Sequence, residues 1–159
     1  MPEPATAEGQ LPDPIPAFIR TEYRVRLDGR DQTVQIGGDT AALDLHLGGA
    51  PWCILTAHNP GAELQSATDN RRADARLVEQ LRECGFDCYR ACNHDPSGQW
   101  PDEPGWLFAF DDEHRVHSLA RAFGQVAVVA GQAGQAAGLW MYCSHPPAQA
   151  APHVRCIQI

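Results

Sequence analysis

Apolar and polar positions along this chain fall into short blocks punctuated by glycine and proline. Cys53 to Ala57 form a continuous, mostly apolar block, which predicts a buried central strand. Asn59-Pro60-Gly61 must end it, because proline supplies no ladder donor and Pro-Gly favours a turn. That strand therefore delivers Thr56, His58 and Asn59 to a loop edge. Upstream, Tyr23, Val25 and Leu27 alternate with Arg24 and Arg26, the pattern of a half-buried strand. Asp28-Gly29 marks a turn, and Thr33 to Ile36 the returning strand. Leu43, Leu45 and Leu47 alternate with Asp44 and His46, which predicts a third strand, ended by Gly48-Gly49.

Downstream the period changes. Ser66 and Asp69 have capping-box spacing ahead of a helix over Asp69–Cys84. Ala73, Leu77, Val78 and Leu81 form its apolar stripe, and Gly85 its stop. Phe86–Cys92 reads as a strand, Asn93–Pro104 as a loop and Trp106–Phe110 as a strand. Asp111, Asp112 and Glu113 suit the positive end of a second helix. Val116, Leu119, Ala120 and Phe123 give it an apolar face, and Gly124 closes it. Val126–Ala130 is a buried strand. Leu139–Tyr142 adds a further strand, and Val154–Ile157 a short edge strand.

The core order is strand, helix, strand, strand, helix, strand. It predicts an α/β (α+β) fold with a ferredoxin-like β-α-β-β-α-β core, an N-terminal hairpin extension and a C-terminal extra strand. Right-handed crossovers then bring five places to one sheet edge. These are His58-Asn59, the helix start near Asn70, the end of the Cys92 strand, the Trp100–Pro104 loop and the Phe123-Gly124-Gln125 corner.

Composition narrows the picture. The chain has 159 residues, which predicts one domain, here residues 18–143. Residues 1–17 hold five prolines and read as a disordered tail; residues 144–159 read as a loose C-terminal tail. The net charge of −8 argues against nucleic acid and anionic membrane as partners. All twelve basic residues are arginine. That excludes a lysine-dependent phosphate loop and a Schiff-base lysine. The chain has no stretch of about 20 apolar residues and no basic-then-apolar leader, so a cytoplasmic protein with reduced cysteines is expected.

Thr56-Ala57-His58-Asn59-Pro60, Asn70, Trp100-Pro101-Asp102-Glu103 and Phe123-Gly124-Gln125-Val126-Ala127 together resemble the signature of a bacterial family known as domain of unknown function number 3293. The resemblance spans residues 52 to 130. It implies a small soluble bacterial α/β protein and no assigned activity.

Glu103 is the leading chemical candidate. Trp100-Pro101 stiffens the chain before it and shields the carboxylate, and a desolvated carboxylate has a raised pKa. His58 is its candidate acid–base partner. Thr56 and His58, two apart on one strand, face the same side. Asn59, Asn70, Thr56, Trp100 and Gln125 are candidate ligand contacts. The structural alternatives are an Asx turn at Asn59, helix capping at Asn70 and a loop tie at Gln125. Neither Ser97 nor Ser118 has a nucleophile context.

Cys84, Cys88, Cys92 and His94 lack the tight pair of a metal knuckle. On a regular strand Cys88 and Cys92 stand about 13 Å apart, so no metal and no cofactor is expected. Arg71, Arg72 and Arg76 read as a solvated helix face balanced by acids. Two function classes follow. In one, a polar pocket at the sheet edge binds a small molecule, with acid–base chemistry by Glu103 and His58. In the other, the protein is a non-catalytic protein-interaction module whose motif residues are structural.

Overall fold

The structure, a computed structural model, describes residues 13–145 and 151–159. Among these, eight strands form one sheet: β1 (Glu22–Leu27), β2 (Arg30–Val34), β3 (Trp52–Thr56), β4 (Cys88–His94), β5 (Glu103–Ala109), β6 (Ala127–Gly131), β7 (Gly138–Cys143) and β8 (Val154–Gln158). Their spatial order is β2-β1-β4-β5-β3-β6-β7-β8. Neighbours are antiparallel except β7 and β8. The fold is mixed α+β with four helices: α1 (Ile15–Arg20), α2 (Ala41–His46), α3 (Ala67–Glu83) and α4 (Glu113–Ala122). The eight-strand order differs from a simple four-stranded ferredoxin-like sheet. The β1–β2 hairpin joins β4 at one side, and β7–β8 joins β6 at the other.

β3 is buried at every position, as a strand with neighbours on both sides and helices beyond must be. Its side chains alternate between two cores. Cys53 and Leu55 meet Ala73, Leu77 and Leu81 of α3 and Val116, Leu119 and Ala120 of α4. Trp52 and Ile54 point to the opposite face, among Tyr23, Val25, Leu107, Val129 and Leu139. Phe18 of α1 and Leu43 of α2 close that second core.

The helix starts follow their caps. The Ser66 side chain accepts from Asp69 N–H, and that of Asp112 from His114 N–H. Gly85 takes the left-handed conformation that stops α3.

Leu43–Leu47 is a correction. The alternation there predicts a strand, yet Ala41–His46 is helical. Leu43 is 1% exposed and Leu45 86% exposed, which a shared strand face cannot produce. Leu43 and Leu47 are four apart, so both meet the core on one helical face. A second correction concerns β5, which starts at Glu103 rather than Trp106, inside the expected loop. Residues 1–12 of the expected tail, and 146–150 of the C-terminal one, lie outside the described residues. Of the remainder, Ile15 at the start of α1 packs on the core, and β8 is a parallel edge strand on β7.

Candidate functional site

The end of β3 is tied down by amides. Asn59 takes a left-handed conformation, φ 49°, which asparagine tolerates better than most residues. Its backbone N–H donates to Asn70 Oδ1 at 2.9 Å, and Asn70 Nδ2 returns a bond to Asn59 Oδ1 at 3.0 Å. Gln65 N–H also donates to Asn59 Oδ1, and Gln65 Nε2 to Asn70 Oδ1 at 2.7 Å. Both asparagines are buried. The next link is Asn59 Nδ2, which donates to Glu103 Oε2 at 3.0 Å. On the other side, Gln125 Nε2 donates to the His58 and Phe123 carbonyls, and Gly61 N–H donates to the Gly124 carbonyl. Thr56 Oγ1 donates to the Pro104 carbonyl at 2.8 Å and accepts from His58 N–H. The motif segments are thus stitched to one another.

Beside this network lies a cavity of about 390 Å³. It sits on the sheet face opposite α3 and α4. Ile54, Val129 and Leu139 line its floor, and Phe18 of α1 lines one wall. Thr56, Asn59, Trp100, Glu103 and Gln125 all border it; Asn70 and His58 do not. Tyr23, Asn93 and Glu103 form one row across β1, β4 and β5, paired residue to residue and therefore on the same face. Asn93 Oδ1 is buried there with no hydrogen-bond partner among the described residues.

Glu103 is the half-buried carboxylate of this row. Burial raises its pKa above the ordinary glutamate range, and bonds from Asn59 and Trp100 offset only part of that rise. Trp100 is itself held by a turn, its N–H donating to Asp95 Oδ2 at 3.0 Å. The Tyr23 hydroxyl donates to the Phe18 carbonyl at 3.1 Å, tying α1 to β1 at the cavity wall. Burial, and more weakly the Glu103 charge, pushes the Tyr23 phenol up.

His58 and Glu103 are not brought together as an acid–base pair. β3 ends at Thr56, and the left-handed turn at Asn59 follows, so strand alternation does not extend to His58. Its ring feels Asp74 of α3 and Arg90 of β4 instead. Burial lowers its pKa most; Asp74 raises it, and Arg90 lowers it further. Asp74 also accepts from Trp106 Nε1 at 3.0 Å and from Arg90, whose guanidinium lies 4.3 Å from the Trp106 ring. That group is spent on joining α3 to the sheet.

The sequence reading missed Asn93 and Tyr23, because their placement depends on strand register. It also missed Gly105, which lies between the expected Asn93–Pro104 loop and the expected Trp106–Phe110 strand. Gly105 pairs with Thr56, and a Cβ there would lie 2.6 Å from the Leu55 carbonyl oxygen. Only glycine lets β5 come that close to β3. The cysteine group forms no centre: among the described residues no three His, Cys, Asp or Glu side chains could share a metal ion. His94 Nδ1 instead lies 2.7 Å from Asp102 Oδ1.

A family model described as "Protein of unknown function (DUF3293)" matches residues 55–128, from the end of β3 into β6. No curated protein and no solved structure gives a significant match. None of the described helices is long and apolar enough to cross a membrane.

Proposed function

We propose that this chain, a DUF3293 protein over residues 55–128, binds a small molecule in the cavity between α1 and the sheet. We read the inner strands β4-β5-β3-β6, with α3 and α4 on one face, as a ferredoxin-like unit whose other face carries the ligand. The observation that supports this most is the cavity itself: about 390 Å³, apolar at its floor, with one partly desolvated carboxylate at its polar end. Ligand sites commonly combine these features. Asn59, Asn70 and Gln125 serve as scaffold in this reading, since their polar atoms are engaged with the neighbouring loops. Glu103 is the partly desolvated carboxylate that joins this scaffold, through Asn59, to the cavity. Without His58 beside it, the reading is of binding rather than of a two-group acid–base reaction. A bacterial, cytoplasmic setting and a single domain belong to the same proposal.

A fragment screen read by thermal shift tests it. A hit present at about 100 times its Kd stabilises by about 2.7 kcal/mol, or roughly 5–10 °C here. Ala127→Phe should abolish those shifts, because Ala127 of β6 borders the cavity and a phenyl ring would fill it. Hits that stabilise wild type and Ala127→Phe equally would place binding elsewhere and contradict the proposal.

A further inference from the structure

We propose, resting on the cavity reading above, that the ligand carries a protonated amine on an apolar body, with the ammonium seated between Glu103 and Asn93. Glu103 contributes a carboxylate that takes bonds from Asn59 Nδ2 and from the Trp100 side chain and still has lone pairs to offer. Asn93, paired with it across β4 and β5, contributes a buried carbonyl oxygen that no described group satisfies. A buried acceptor left without a donor is costly. Two hydroxyl donors near this end are already committed, the Tyr23 hydroxyl to the Phe18 carbonyl and the Thr56 hydroxyl to the Pro104 carbonyl. The Glu103 carboxylate and the Asn93 carbonyl oxygen therefore stand as a pair of acceptors that these hydroxyls do not fill. An ammonium group brings three N–H donors and no acceptor.

Charge points the same way. A carboxylate drawn out of water without a cation nearby is held in an unfavourable state, which a bound cation relieves. Asp95 also borders the cavity. Arg20 borders it too, but its side chain belongs to an exposed residue near the end of α1. The rest of the ligand must be apolar to match Phe18, Ile54, Val129 and Leu139. The rings of Trp100 and Tyr23 would favour a cation near their faces as well.

Benzylamine, benzyl alcohol and benzoate share one body and differ in charge, so they separate the ligand classes. Their binding is followed by amide shifts in the labelled full-length protein at pH 7 and physiological salt, where diffuse attraction to an acidic surface is screened. Benzylamine should shift the amides of Ile54, Asn93, Glu103 and Val129 and bind at least about tenfold tighter than benzyl alcohol. Glu103→Gln should remove that preference, bringing benzylamine down to about the affinity of benzyl alcohol for the same variant. Asn93→Val should weaken benzylamine alone, which keeps the test open if either variant folds poorly. If benzyl alcohol or benzoate shifts the same amides and binds as tightly as benzylamine, the amine assignment is overturned and the cavity reading stands. If none of the three moves those amides, both fall.

Discussion

Replacing Asn70 by alanine lowers the melting temperature by roughly 5–15 °C, the largest loss expected from any single polar side chain of the motif edge. The reason is what remains behind. Asn70 Oδ1 accepts from the Asn59 N–H and from Gln65 Nε2, and Asn70 Nδ2 donates to Asn59 Oδ1. Alanine leaves the Asn59 N–H without a partner in a buried position, and loosens the side chain that reaches Glu103. Each buried group so stranded costs about 1–3 kcal/mol, giving about 2–4 kcal/mol for the site. Ser66→Ala is the comparison. Ser66 is the residue that caps α3, and losing a cap costs typically about 1 kcal/mol. If thermal melts show Asn70→Ala no worse than Ser66→Ala, then Asn70 is only a helix-start residue and the Asn59–Asn70 network does not hold the end of β3.

Gly105→Ala should be comparably damaging for a different reason. The added Cβ would stand 2.6 Å from the Leu55 oxygen, 3.1 Å from its carbonyl carbon and 3.2 Å from Thr56 Cα. All three are backbone atoms of the central strand, so no side chain can swing away to make room. β5 must move off β3, and Glu103 and Pro104 move with it. Overpacking of this kind costs about 1–3 kcal/mol and sometimes more, so a fall of roughly 2–12 °C is expected, in the upper part of that range because backbone must move. The Thr56–Pro104 hydrogen bond should be lost with it, which amide shifts at Thr56 and His58 would reveal. A variant that melts within a degree or two of wild type would show that β3 and β5 can separate freely.

Both variants fall where sequence and structure speak differently. α3 is legible because Ser66 and Asp69 mark its start, Ala73, Leu77 and Leu81 its buried stripe, and Gly85 its end. β3 is legible because a run with no polar face has no place except the middle of a sheet. The convergence of Asn59, Asn70, Glu103 and Gln125 follows from strand direction alone, and the hydrogen bonds among these loops agree with it. Leu43-Leu45-Leu47 misleads, because a spacing of two fits a strand and the helix there is a single short piece with one residue buried. Pro104 misleads because a proline usually belongs to a loop rather than to the inside of a sheet. Here the Pro104 carbonyl faces the Thr56 hydroxyl, and its missing N–H falls on that same side. β3 has already ended there, its last partner being Gly105, so no ladder bond is lost. The Tyr23–Asn93–Glu103 row was out of reach, since nothing local to β1 says that it will pair with β4.

We propose Glu103 as the working group of the cavity, held there at some cost to the fold. The most direct measurement is the melting temperature of Glu103→Gln against wild type from pH 4 to pH 8. Glutamine keeps the oxygen that accepts from Asn59 and removes the charge. The folded-state pKa of Glu103 is raised above its unfolded value. Its contribution to stability is therefore fully present below the unfolded pKa and lost as pH rises through the folded one. Glu103→Gln does not titrate, so its melting temperature should match wild type or exceed it at pH 7, and the difference should shrink toward pH 4. A variant several degrees less stable than wild type at pH 7 would mean that the ionised carboxylate holds the loops together, and the account of Glu103 as the working group of the cavity would be wrong.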